Sequence, residues 1–168
     1  LETYDALIVP VLSGKLSGTN VSANIAAKAF EKPIHVIDSQ LIADGTGMLV
    51  KNLGDMINSG ANLDELVEYG TNFHEKTRTF CSTDDLSYLV KGGRIGKAKA
   101  LMGNLLKMKP VIVVDEGELK PVENVRGNKK LLDVLVSHVF SEIPPERLRR
   151  ARVLTIWRKE DGKTLERM

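Results

Sequence analysis

A chain of 168 residues, 42% hydrophobic and 27% charged, has the size and composition of an ordinary globular protein with a real core. Its formal net charge of +2 sets up no strong field toward nucleic acid or an anionic membrane surface. Its apolar runs fall far short of the roughly 18 residues a membrane span needs, no signal-peptide pattern opens it, and the single cysteine, Cys81, builds no disulfide framework, so the cytoplasm is the expected compartment.

In chain order the pattern alternates strand and helix. Asp5 to Leu12 reads as a strand, and residues 19–31 read as a helix with Val21, Ile25 and Ala29 at helical spacing. Pro33 to Ile37 is a short buried strand. Residues 41–59 form a helix with Leu49, Leu53, Met56 and Ile57 on one face, closed by Gly60. Asn62 caps a further helix over 63–77, whose inner face carries Leu63, Leu66, Val67 and Phe73. Thr79 to Ser82 is the next strand, followed by a short helix over 84–90.

Strands separated by helices of this length predict an α/β fold, a mainly parallel sheet with helices on both faces. The later part differs. Lys109–Val114 and Leu119–Val122 flank Asp115-Glu116-Gly117-Glu118, which predicts a hairpin. An amphipathic helix follows over 128–141, carrying Leu131, Leu132, Leu135, Val136, Val139 and Phe140, and Pro144-Pro145 breaks it. Val153 to Trp157 reads as a last strand. The glycine-rich stretch at 91–96 marks a boundary between an α/β subdomain over 1–91 and part of a second one over 92–168. The chain opens on Leu1 just before a core strand and closes on what reads as a helix beginning at 159–168, the pattern of a fragment of a longer protein.

The most informative segment is Ser13-Gly14-Lys15-Leu16-Ser17-Gly18-Thr19, between the first strand and its helix. Such a turn places unpaired N–H groups and the positive end of a helix dipole at the carboxyl edge of a strand, where α/β proteins bind anions. Ser17 and Thr19 can serve as helix caps, or Ser13, Ser17, Gly18 and Thr19 can together receive an anion. Lys15 does not make a Walker loop, because the G-x-x-x-x-G-K-[ST] order is missing. Gly92-Gly93-Arg94-Ile95-Gly96 reads either as a loop with a solvated arginine or as a turn that holds one guanidinium for a carboxylate or phosphate. Arg126, in Val125-Arg126-Gly127, reads as a surface arginine before a helix N-terminus, with a partner contact as the alternative, since a cation there opposes the dipole.

The chemistry of catalysis is thin. His35, His74 and His138 show no metal-ligand spacing, and Cys81 in a Thr-Phe-Cys-Ser strand is expected to be an inert buried thiol. Asp84-Asp85 and Asp38-Ser39 follow strands and read as capping groups, with cation binding by the first pair and a functional-edge role for the second as alternatives. The basic stretch Lys91, Arg94, Lys97, Lys99, Lys107 and Lys109 lacks the aromatic groups of a nucleic-acid site and reads as a solvated face.

Several segments in this order resemble the DegV family of bacterial fatty-acid-binding proteins: Leu16-Ser17-Gly18-Thr19 with Ser22-Ala23, Val36-Ile37-Asp38-Ser39, Asp85 to Ile95, Gly103 to Pro110, and Val125-Arg126-Gly127. The resemblance runs from about residue 5 to residue 157. It implies a two-domain α/β protein that encloses one long-chain fatty acid and needs no other cofactor. A separate dihydroxyacetone-kinase-like protein would phosphorylate the bound carboxylate, so the chain would be a carrier with no catalytic residue and no metal. Under that resemblance Ser13, Ser17, Gly18 and Thr19 become the carboxylate site, and Arg94 and Arg126 the surface that meets the kinase or the acyl phosphate. Nucleic-acid binding and stable membrane insertion are not expected. The chain departs from the family where two adjacent serines are replaced by Ser13-Gly14 and where an aromatic is replaced by Asn20. An enzyme acting on a small carboxylate or phosphate at the same loop is the alternative, weakened by the lack of a general base.

Overall fold

The computed structural model describes residues 3–102, 108–155 and 159–168. By its internal contacts the chain divides into two compact units, one of residues 1–79 with 114–118 and the other of residues 80–113 with 119–168.

In the first unit β1 (Leu7–Val11) and β2 (Ile34–Asp38) are strand formers rich in Ile and Val. They pair in parallel with Leu7 opposite Ile34 and Val11 opposite Asp38, so both strands end at the same edge. Between them runs α1 (Thr19–Ala27). After β2 come α2 (Ala43–Asn58) and α3 (Leu63–Asn72), the latter continued by a 3₁₀ turn at Phe73–Lys76. Leu49 and Leu53 of α2, Leu66 of α3 and Phe73 close over Ile37 and Leu41 to make the core. The approach of α3 to β2 requires Gly70, since a Cβ there would sit 2.5 Å from Ile37 Cδ1.

Local signals in this unit act as the sequence suggests. Asn62 and Glu65 form a reciprocal capping box at 3.0 and 2.9 Å. Gly60, at φ +85, turns the chain out of α2 just past its last residues.

The inward face expected of α1 is not realised. Val21 and Ile25 are 62% and 65% exposed, Ala29 is exposed, and the helix ends at Ala27. Ala23 and Ala27 are half-buried instead. Small side chains let α1 lie close to β1 and β2, and close approach outweighs the larger apolar stripe. Ile57 likewise falls off the buried stripe of α2 and is 55% exposed.

The second unit is built on a three-stranded sheet in the order β3 (Thr79–Ser82), β4 (Met108–Asp115), β5 (Glu118–Arg126). β4 and β5 are joined by the two residues Glu116 and Gly117 at φ +50 and +75, a type I′-like hairpin, and so run antiparallel. The tip of this hairpin, 114–118, belongs to the first unit. The α/β class therefore holds, with sheet that is parallel at β1/β2 and antiparallel at β4/β5.

A short α4 (Ser87–Lys91) follows β3 and starts later than its acidic residues suggest. Asp85 sits just ahead of it, accepting the Ser87 N–H and hydroxyl at 2.7 and 2.6 Å. Those two bonds, the hydroxyl first, hold the Asp85 carboxyl below its usual range. Asp84 pairs with Lys109. α5 (Asn128–Glu142) buries Leu131 and Leu132, and Leu131 closes over Val111 and Val125. The last segment, α6 (Lys159–Arg167), is a formed helix.

The strand expected at Val153–Trp157 is not formed over 153–155, where Leu154 is 61% exposed. Ile156 and Trp157 lie outside the described residues, as do 103–107 of the Gly103–Pro110 segment. Among the described residues no helix is long and apolar enough to cross a membrane.

Candidate functional site

The parallel pairing of β1 and β2 brings two loops to one edge, and backbone bonds lock them together. Ser39 N donates to Val11 O at 3.0 Å, and Ser13 N donates to Leu41 O at 2.8 Å. The Ser13 carbonyl then accepts the Leu16 and Ser17 N–H groups, each at 3.0 Å, which folds the loop into a tight turn. Ser13 itself is fully buried, its hydroxyl donating to Gly117 O at 2.6 Å and accepting from Lys15 N at 3.2 Å.

The loop already carries one internal carboxylate. Gly14 N lies 3.1 Å from both Asp38 oxygens, and Asp38 Oδ1 also accepts Gln40 N at 2.9 Å. A Cβ on residue 14 would sit 2.7 Å from Asp38 Oδ2, so glycine at this position is what admits Asp38 so closely. Asp38 thus closes the turn after β2 and clamps the turn after β1; it does not cap α2, whose N-cap is Ile42. Ser39 is buried, bonded to Thr46 Oγ1 at 3.1 Å and to Leu41 N at 3.2 Å.

At the far end of the loop the hydroxyls face outward. Ser17 Oγ and Thr19 Oγ1 are 2.8 Å apart, and Ser17 Oγ accepts Thr19 N at 3.2 Å. The N-cap of α1 is Gly18, and no side chain caps the helix. Gly18 and Thr19 are exposed and Ser17 half-buried, so the start of α1 presents a hydroxyl pair beside solvent-facing N–H groups. Such an end favours a negative group by orphan donors and dipole together. Lys15 reaches only to 4.0 Å from Glu118 Oε1.

Ser13, Ser17, Gly18 and Thr19 therefore share one loop of the first unit. Arg94 and Arg126 belong to the second unit. Arg94 follows α4 between Gly93 at φ +70 and Gly96 at φ +49, its backbone N–H bonded to Leu89 O at 2.9 Å and its guanidinium to Gly92 O. Arg126 is exposed at the end of β5, ahead of Gly127 at φ +80.

Other titratable groups are engaged structurally. His74 bonds Gln40 Nε2 at 3.1 Å and Thr71 O at 3.0 Å. His138 bonds Glu123 at 2.9 Å and stacks on Phe80. No cluster of metal-ligating side chains occurs among the described residues. A depression of about 260 Å³ beside Gln40 and His74 also exposes Glu75, Arg78, Asp115 and Glu116, a mixture of charges unsuited to an acyl chain.

Burial pushes the Cys81 thiol up to about 11. Its reaction with a disulfide reagent at pH 8 is therefore expected to be on the order of 100-fold slower in the folded protein than in denaturant. Equal rates would show an accessible thiolate.

Gly117 and Gln40 were not legible as part of this site. Gly117 is marked in the sequence only as a turn glycine, and Gln40, at φ +52, carries no signal at all.

The structure defines an α/β protein with a hydroxyl- and glycine-rich loop at the carboxyl edge of a parallel strand pair. The chain belongs to the DegV family: that family's model, described as "Uncharacterised protein, DegV family", matches residues 1–168. A protein of Thermotoga maritima named "Fatty acid-binding protein" is 35% identical over 147 residues, covering 85% of this chain and 50% of its own length. A DegV family protein of Thermus thermophilus, whose structure is described by its fatty acid binding, superposes with a TM-score of 0.78 at 32% identity, over 83% of this chain and 50% of that one. The Fatty Acid Kinase (Fak) B3 protein of Streptococcus pneumoniae, solved loaded with linoleic acid, superposes with a TM-score of 0.76 at 28% identity, over 84% of this chain and 52% of that one. The chain spans about half the length of the relatives it matches.

Proposed function

We propose that this chain is the carboxylate-binding part of a bacterial fatty-acid carrier, which holds a long-chain fatty acid and presents it to a separate kinase for acyl phosphate formation. The observation that carries the reading is the Ser17–Thr19 hydroxyl pair at the uncapped start of α1, in a member of a family whose relatives bind fatty acids. A carboxylate is neutralised there by hydroxyls, N–H groups and a dipole, with no lysine required. Ser13 supports the loop from beneath, and Gly18 lets the headgroup approach the backbone. The acyl chain supplies most of the binding energy, on the order of 0.8 kcal/mol per buried CH₂ before losses.

The kinase role draws support from the Streptococcus pneumoniae relative. Arg94 and Arg126 are the cations assigned to meet the kinase or the acyl phosphate, since a guanidinium fork suits both. The protein is a carrier and not an enzyme, it needs no cofactor beyond the bound lipid, and it works in the cytoplasm.

Native mass spectrometry of the full-length protein, followed by extraction with organic solvent, tests this. Stoichiometric long-chain fatty acid is expected. A protein free of lipid and indifferent to added lipid overturns the carrier reading, and turnover of a small carboxylate or phosphate by the protein alone replaces it with an enzyme.

A further inference from the structure

Ser13 and Gly117 are 104 positions apart in sequence, yet a buried hydrogen bond of 2.6 Å joins them. Gly117 is glycine for two independent reasons. Its φ of +75 lies in the left-handed region, and a Cβ there would stand 2.6 Å from Ser13 Oγ and 3.6 Å from Gln40 Cα. The hairpin tip thus lies flush against both edge loops. From Ser13 the constraint runs along the chain: its hydroxyl takes the Lys15 N–H, and its carbonyl takes those of Leu16 and Ser17. Ser17 in turn holds Thr19 through two contacts, hydroxyl to hydroxyl and hydroxyl to N–H.

We propose that Gly117 is a positioning residue for the carboxylate loop, with the hairpin tip bracing Ser13 so that the hydroxyls of Ser17 and Thr19 are held in register at the start of α1. The proposal rests on the fatty-acid reading above. Gly117 touches no ligand in this scheme; it acts by removing the freedom the loop would otherwise lose on binding. A hydroxyl pair presented by an unbraced turn would have to be ordered by the ligand itself, at the expense of affinity.

The test uses the full-length protein, stripped of lipid, with Gly117→Ala beside the wild type. Each is titrated with a saturated long-chain fatty acid and with the primary alcohol of the same chain length. A positioning role predicts about tenfold weaker binding of the acid by the variant, with the alcohol changed less than about twofold. A loss common to acid and alcohol marks general damage and overturns the proposal, as does an unchanged acid affinity. Wild-type protein that binds neither ligand overturns the fatty-acid reading and the positioning role with it. Should the variant not fold, amide exchange on the wild type decides: the acid is expected to slow exchange at Lys15, Ser17 and Gly117 together. Slowing in the loop with an unchanged hairpin tip overturns the brace.

Discussion

Leu49→Ala is expected to lower the unfolding free energy by about 2–5 kcal/mol, the range for a buried leucine cut back to alanine. Leu49 has no exposed surface and packs with Ile37, Leu53, Leu66 and Phe73, the residues that seat α2 and α3 on β2. The large cost has two sources. The removed methyl groups lose their transfer energy, and the cavity left between helix and sheet can collapse only in part, because the side chains around it are themselves buried in one packed cluster. Against a total of about 5–15 kcal/mol for a typical domain, this is a large fraction. Urea unfolding should show a lower midpoint at unchanged slope. Val50→Ala, one residue along and half exposed, is the control and should move stability by no more than about 0.5 kcal/mol. Equal effects at the two positions would refute the placement of this core.

The second large effect belongs to the loop. Ser17→Ala with Thr19→Ala removes both hydroxyls from the start of α1 and leaves the N–H groups and dipole in place. A hydrogen bond to a charged partner contributes about 1.5–3 kcal/mol, so the double variant should bind a long-chain fatty acid about 10–100-fold more weakly. The fold should survive, since α1 buries no residue of its own and the bond this pair makes to its backbone, Thr19 N to Ser17 Oγ at 3.2 Å, is exposed. Isothermal titration of the delipidated full-length protein gives the affinity, and circular dichroism checks the helix content. Retention equal to that of the wild type would remove Ser17 and Thr19 from the site.

What could be read in advance was local. The capping box at Asn62 and Glu65 is completed within one helical turn, and the Glu116-Gly117 turn depends on backbone dihedrals that glycine and its neighbour set for themselves. The loop after β1 stood out for the same reason, as hydroxyls and glycines between a strand and a helix. What escaped was decided by packing. Val21 and Ile25 have the spacing of a buried stripe, but Ala23 and Ala27 gave the closer fit. Leu154 lies in an apolar run with strand character, but the run is not a strand where it is described. The partner of the Ser13 hydroxyl lies 104 residues away, a pairing that no window along the chain contains. In the same way Asp38 showed itself as a residue at a functional edge, while its grip on Gly14 came only from the parallel register of β1 and β2.

That grip also settles which donors of the loop are already engaged. The Asp38 side chain is fastened to the Gly14 N–H at the head of the turn, so that donor is already taken. A headgroup bound at Ser17 and Thr19 would therefore draw on those hydroxyls and on the N–H groups that open α1, and not on Gly14.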